Sequence, residues 1–591
     1  MSLAASGARY AGLVGAVLLA VAGYLGGALP DAPLGATPTS IWRTPDGPAT
    51  LTCWLIGTVL LVGAWWSLRE GAPSTRWAYV TAGLWALPLL VAPPLGSRDV
   101  YSYACQGWTY AHGVDPYTVG AAAAGCPWLD TVAPIWRDTP APYGPVFVLL
   151  AALAVGLGGG LTGTIVALRV IAVAGLLLAA LCLPALARAA GVPAGLVAGV
   201  PARRGVPAGL VAGVPARRGV SAGLVAGVPA RRAVPAGLVA GVPARRAVWL
   251  ALAGPLVGVH LVAGAHNDAV MLGLLLCGLL VVVRRPGRPV ALLLAGALLG
   301  LAVTVKASAV VVVPFAVLAG MPDQYTVRAL LRHGTWLTGG LLAALLVTSA
   351  VSGLGFGWVG GLTHSGDSEQ WTSPPTAVGL VVDYAGALVG RDPQAVPVVR
   401  AVALLLLVGV LLMLWWRAWH VLRGLNEAAA PEVRCSGVGC SGVAGPEVAA
   451  RVEASSGVVS PGVASSGVAS SGVASSGVAS SEFACPEVGC PRVARSRVAL
   501  HGAALALVAT VVLSPVFHPW YATWPLALLA LTAARTTWFV LPTAAAAFLA
   551  LPDGTNLARV TKAPGALAMT ALLLTVLVRA LRTARRRRRQ R

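Results

Sequence analysis

Of the 591 residues, 57% are hydrophobic and 10% charged, with a mean hydropathy of +0.79, which excludes a soluble domain with an ordinary polar coat. The net charge of +22 does not point to nucleic acid, because the arginines lack interleaved aromatics and collect in short inter-helix loops, a repeat and the tail "RTARRRRRQR". Apolar runs of about 17–25 residues, the length that crosses a hydrocarbon core of about 30 Å, recur along the chain without barrel-like alternation. An all-α polytopic membrane protein is the expectation.

In chain order, the first predicted span is Tyr10–Leu29. "YLGGALPDAP" offers no convincing small-residue cleavage site, so this run is expected to stay as a helix. Thr50–Leu68, Trp77–Leu95, Thr164–Ala187, Val248–Ala265, Val270–Val283 and Val290–Val303 follow. The remainder are Ser308–Gly320, Thr335–Val351, Val398–Trp416, Val498–Leu513, Tyr521–Ala534, Trp538–Leu551 and Gly565–Leu581. This makes 14 spans, within a range of 12–15. "SLREGAPSTR", "VRRPGR" and the arginine tail then all fall on the cytoplasmic side, with both termini. Counting the further run Pro145–Leu161 as a crossing would move "VRRPGR" outside, so it reads as re-entrant or interfacial.

Two low-complexity insertions divide the chain. "PAGLVAGVPARRGV" begins at Pro193 and occurs, slightly varied, four times in all with period 14 through Val248. Its Pro and Gly fall where a helix would have to continue. Residues 426–497 carry tandem "GVASS" and paired "PEV" elements. Both read as cytoplasmic excursions dispensable for chemistry. The domain plan is an N-terminal membrane region 1–190, the insertion 191–247, a central region 248–425, the insertion 426–497, a C-terminal region 498–582 and the tail 583–591. Cys105 and Cys126 share the loop 96–144, where they either form a disulfide or remain free thiols. The pairs Cys435/Cys440 and Cys485/Cys490 read as duplication within the insertion, not a metal site.

The charge-derived topology brings four polar turns to the external face. These are the loop "SRDVYSYACQGWTYAHGVDPY" with "APIWRDTPAPYGP", and the turns "AHNDAV", "VKAS" and "SPVFHPWY". Each has a plain structural reading. Arg98 and Asp99 form a helix-end pair, Asn267 and Asp268 cap a helix, Lys306 snorkels, and "FHPWY" belongs to an aromatic belt. Their conjunction at one membrane surface points instead to a binding cavity. No phosphate-loop or dinucleotide motif offers a seat for a soluble nucleotide donor, whereas a donor dissolved in the bilayer needs none. Sugar transfer from a lipid phosphate to a hydroxyl requires a carboxylate base and groups that stabilise the departing phosphate. Asp99 suits the first task, and Lys306, His266, Arg98 or His518 the second.

"SRDVYSYACQGWTYAHGVDPY", "APYGPVF", "HLVAGAHNDAVMLGLLL", "GLAVTVKASAVVVVPF" and "LSPVFHPWYATWPLALL" occur in an order and spacing that resemble the polyprenol-phosphate-mannose-dependent α-1,6-mannosyltransferases of actinobacterial envelopes. These belong to the GT-C superfamily, and the likeness covers most of the chain outside the insertions. It implies a GT-C-like multispan helical bundle with a long first external loop. It also implies transfer of mannose from a polyprenyl-phosphate carrier to a lipid-anchored mannan of the lipomannan type, outside the cytoplasmic membrane.

The resemblance carries the general base of an inverting transfer to Asp99 and a carrier-phosphate contact to Lys306. Asp115 and Asp268 match further family positions. Arg98, Tyr101, Tyr103, Tyr117, Tyr143, His266, Asn267, His518, Trp520 and Tyr521 complete the expected substrate-binding set. His518 stands where the family has Gln as often. No cofactor or metal is expected, since side chains can meet the charge on a leaving phosphate. The partners expected are the lipid-linked donor, the glycan acceptor and the bilayer. The motifs say little about the sugar's hydroxyls, so arabinose or glucose as donor sugar is the alternative. A transporter of lipid-linked glycans would need inverted repeats and mid-membrane polar groups, and the sequence shows neither.

Overall fold

Each apolar run coincides with helix, as the cost of unpaired backbone groups in lipid requires. The computed structural model describes residues 3–32, 35–191, 243–322, 324–366, 368–435 and 491–589. Among them there is no strand, only an isolated bridge between Ala550 and Asn556. Most of the two insertions lies outside the described residues, and with it the dispensability assigned to them and the reading of both pairs of insertion cysteines. Their edges are helical: Ala244–Leu252 starts inside the last repeat unit, and Ala395–Cys435 and Pro491–Leu513 reach into the second insertion.

Among the described residues seven helices are long and apolar enough to cross a membrane, or eight if the bent pair Ala244–Leu252 and Val257–Ala263 is one span. The other runs in the count of 14 are shorter. Thr75–Val91, Asp268–Arg284 and Pro289–Val305 have 17 residues each, about 25 Å of helix against a core of about 30 Å. Thr523–Thr532 and Thr537–Ala546 have only 10 residues each. Pro145–Gly158 is a 14-residue helix that turns back through Gly159 into Leu161–Ala190.

Helices meet where small residues admit close approach, the usual solution in membranes. Helix Leu161–Ala190 crosses Asp268–Arg284 with Gly175 against Gly273, where a Cβ on Gly273 would sit 2.4 Å from the Gly175 carbonyl oxygen. This crossing fixes the start of the helix bearing Asp268. The bent pair turns by 62° at Gly254–Pro255, where proline cannot continue the backbone ladder. Its second half is a π-helical turn, a form found often at functional sites.

One buried apolar cluster joins the N-terminal, central and C-terminal regions, and a small second cluster of Ala377, Leu380, Val396 and Ala566 ties the last helix to Pro374–Ala387. Large apolar side chains also point outward, as with Leu157 at 73%, Leu181 at 76% and Leu405 at 74% exposure. On helices this apolar, that outward face is a lipid-facing surface. The protein is a multi-pass, all-helical membrane protein.

Candidate active site

Pro93 and Pro94 end the helix Thr75–Val91, and the chain turns through Gly96 at φ +73°. Asp99 then opens the helix Asp99–Ala111, with Ser97 Oγ accepting its backbone N–H at 3.1 Å. An acidic residue in a first turn is favoured by the helix dipole. The Asp99 side chain is 16% exposed and lines a cavity of about 480 Å³.

A second carboxylate lies behind the first. His266 follows Ala265, whose φ of +50° is a conformation few side-chain-bearing residues adopt. Its Nδ1 is 3.8 Å from Asp99 Oδ2 and 3.8 Å from Asp268 Oδ2, and 3.3 Å from the Tyr103 hydroxyl. The imidazole therefore separates the two acids. Asp268 is fully buried, and Lys306 Nζ donates to both its oxygens at 2.9 Å while the Trp524 indole N–H donates to Oδ1. Lys306 also sits over the rings of Tyr143, Tyr521 and Trp524 at 5.9, 5.0 and 5.2 Å. Gly144 makes this cage possible, since a Cβ there would lie 2.4 Å from the Thr304 carbonyl oxygen.

Across the cavity wall, His518 stacks on Trp520 at 4.6 Å, and Trp520 lies 4.1 Å from the His266 ring. Burial pushes the Asp99 carboxyl up to about 6, with the Lys306 charge opposing the rise. Burial also pulls His518 down to about 3, helped by the charges of Lys306, His260 and Arg559. His266 is held well below its ordinary range by burial first, then by His260, Lys306 and His518. Both imidazoles are neutral near pH 7, so they serve as hydrogen-bonding walls and not as cations.

The structure thus gathers Asp99, Tyr103, Tyr143, His266, Asp268, Lys306, His518, Trp520 and Tyr521 around one cavity and the charge pair behind it. Asn267 lies between His266 and Asp268, its amide buried with no hydrogen-bond partner among the described residues. Arg98 borders the cavity, but its guanidinium is spent on the carbonyls of Leu29, Ala32 and Thr131 at 3.0, 3.0 and 3.3 Å. Three expected residues serve the scaffold elsewhere. Tyr101 donates to the Ala28 carbonyl, Asp115 Oδ1 accepts the Tyr117 N–H at 2.8 Å in an Asx turn, and Tyr117 packs on Gly357.

Most of the far wall came from segments the motif reading passed over. Glu369, Gln370, Asp553, Asn556, Arg559 and Lys562 line it, beside Trp136 of "APIWRDTPAPYGP". The available signal was "LPDGTNLARVTK", a turn-rich stretch with charges just after a predicted span. Trp524 lay inside "FHPWYATW" but carried no mark that set it apart from an aromatic belt. Among the described residues no group of three or more His, Cys, Asp or Glu is arranged to hold a metal ion.

An apolar, multi-pass helical body enclosing a cavity of carboxylate, cation and aromatic groups defines an integral membrane enzyme. Residues 9–200 and 216–322 match the family described as alpha-(1→6)-mannopyranosyltransferase, N-terminal domain, and residues 491–579 match the MptB C-terminal domain. The chain belongs to the alpha-(1→6)-mannopyranosyltransferase family and is a glycosyltransferase. It is 29% identical to a probable alpha-(1→6)-mannopyranosyltransferase of Mycolicibacterium smegmatis, over 70% of this chain and 72% of the relative. It is 28% identical to an alpha-(1→6)-mannopyranosyltransferase of Mycobacterium tuberculosis, with the same coverages of 70% and 72%. To alpha-(1→6)-mannopyranosyltransferase A of Corynebacterium glutamicum it is 26% identical, over 63% and 71%. No solved structure matches the chain.

Proposed function

We propose that this protein transfers mannose from a polyprenyl-phosphate carrier to a hydroxyl of a lipid-anchored mannan, forming α-1,6 linkages of a lipomannan-type backbone. The observation that carries the reading is Asp99: its carboxylate faces a polar cavity, while Asp268 is consumed by Lys306. Asp99 takes the proton of the acceptor hydroxyl as that oxygen attacks the anomeric carbon. The carrier phosphate leaves from the opposite side, so a β-linked donor gives an α-linked product.

An apolar pocket of about 270 Å³ supports a lipid-borne donor. It runs between helices Pro491–Leu513 and Thr537–Ala546, floored by Thr523–Thr532, and Phe517 at its edge is the neighbour of the cavity residue His518. We place the cavity on the extracytoplasmic face with both termini in the cytoplasm. The loop-charge pattern supports this orientation, as does the Cys105–Cys126 disulfide, a bond that persists in oxidising compartments. The count of 14 crossings belongs to the same proposal, with the shorter apolar helices thinning the bilayer and Pro145–Gly158 not crossing. The transfer is proposed to need no metal.

The test is in-vitro transfer by purified protein with polyprenyl-phosphate mannose, arabinose and glucose, followed by linkage analysis and repeated in the presence of chelator. Mannose in α-1,6 linkage, with chelator harmless, is the expected result. Asp99→Asn should lower turnover by about a hundred- to ten-thousand-fold with donor binding retained. Near-parental turnover by Asp99→Asn would remove Asp99 from the mechanism.

A further inference from the structure

We infer that Arg559 is the residue that grips the phosphate of the lipid-linked donor, in place of Lys306. This rests on the donor class proposed above.

Among the described residues the cations that line the cavity are Arg98, Arg559 and Lys562. Arg98 is committed to three backbone carbonyls, and Lys562 pairs with Glu369 at 3.2 Å. Lys306 does not line the cavity and is committed to both oxygens of Asp268. Drawing it away would leave a fully buried carboxylate uncompensated. Arg559 is exposed and lines the cavity, and its guanidinium has no hydrogen bond or ion pair among the described residues, only the backbone N–H donating to the Asn556 carbonyl at 2.9 Å. Its charge is felt by His518, which places it within electrostatic reach of the aromatic wall.

The turn that carries Arg559 is held in place before any ligand arrives. Asn556 Oδ1 accepts the Ala558 N–H at 2.9 Å, Gln370 Oε1 accepts from Asn556 Nδ2 at 2.8 Å, and the Leu557 N–H donates to the Leu549 carbonyl at 2.7 Å. Asp553, the remaining acid of the wall, is occupied by Thr555 at 2.6 Å. Among the described residues the cavity therefore offers one acid toward substrate, Asp99, and one uncommitted cation, Arg559.

That pairing matches the charge flow of the transfer. The bond from acceptor oxygen to anomeric carbon forms, the carbon–oxygen bond to phosphate breaks, the proton passes to Asp99, and the electron pair stays on the phosphate oxygen. The phosphate goes from one negative charge to about two. A planar guanidinium can hold two of its oxygens at once, which an ammonium cannot. The added charge is then met by the group that also bound the donor.

The experiment uses the full chain in phosphatidylcholine nanodiscs, titrated with farnesyl phosphate and with farnesol, read by intrinsic tryptophan fluorescence. The parent protein should prefer the phosphate. Arg559→Ala and Arg559→Gln should each weaken farnesyl phosphate binding roughly ten- to a hundred-fold, leave farnesol binding unchanged, and raise the donor KM more than the acceptor KM. Arg559→Lys should recover part of the loss. Phosphate binding within two-fold of the parent in both neutral variants overturns the assignment while the donor class stands. Displacement of farnesyl phosphate by inorganic phosphate or phosphatidylglycerol at equal concentration overturns it in favour of a general anion or headgroup site. A parent protein that binds alcohol and phosphate alike removes both the assignment and the lipid-phosphate donor.

Discussion

Asp99 and Asp268 lie on either side of one imidazole and are set to different tasks by their surroundings. Asp268 has its charge neutralised by Lys306 and belongs to the framework. Asp99 keeps an open face toward the cavity, and burial raises it to about 6, near the optimum for a base working around neutrality. The sign of the pH dependence follows: the base must be ionised, so activity is complete above about pH 7 and falls tenfold per unit as pH drops below about 6. Measured kcat/KM against pH should show this single acidic limb, and a flat profile down to pH 5 would detach Asp99 from the proton transfer. The residue types were legible in the sequence, because Asp, His and Lys interrupt runs that are otherwise apolar. Their division of labour was not. Lys306 is 38 positions from Asp268, and only the packing of Asp268–Arg284 against Pro289–Val305 shows that each consumes the other. Arg98 was equally open in the motif, and its three carbonyl partners identify it as a clamp on the loop after the first helix.

The helix Asp99–Ala111 carries the proposed base, and at 13 residues it is amphipathic and too short to span. The disulfide from Cys105 to Cys126, 21 positions apart, ties its middle to the loop that follows. Closing a loop of that size stabilises by about 3 kcal/mol in the chain-entropy account. Cys105→Ser combined with Cys126→Ser should therefore speed proteolytic cleavage of residues 113–126 and lower turnover, and a membrane-impermeant reductant should reproduce both effects on the parent protein from the external side. Unchanged cleavage in the double variant would show that the bond does not hold the loop. Periodicity found the long apolar helices, but could not find this one or Pro374–Ala387, whose polar interruptions resemble loop. It also set the limits of the far wall too narrowly. Leu557–Val560 is one turn of helix, defined by the Asn556 cap and the bond to Gln370 rather than by any run of apolar residues.

On the scale of the whole molecule, the described cavity residues come from Gly35 after the first helix, the loop 96–144, the stretch before Pro374–Ala387, the turn at His518 and the segment 550–562. The period-14 repeat enters the sequence between helices Leu161–Ala190 and Ala244–Leu252. The boundary of that repeat matters, because its last unit is not expendable as a whole. Arg246, within the final "PARRAV", is buried and donates to the carbonyls of Ala533 and Ala534 at 2.5 and 3.4 Å, joining the central region to the C-terminal one. Trp249, three residues on, is fully buried and donates to the Trp65 carbonyl at 3.0 Å. Removing residues 193–234, three complete units, leaves these contacts and the fourth unit intact. That variant should accumulate in the membrane and transfer mannose within about two-fold of the parent, since long insertions cost little loop-closure entropy and their removal recovers little. Extending the deletion through Val248 should instead abolish accumulation, because it removes Arg246 and the carbonyls of Ala533 and Ala534 lose their donor. Membrane quantities of both variants, measured beside transfer rates normalised to protein, decide the matter: a 193–234 deletion present at parental level but inactive would make the repeat part of the working enzyme.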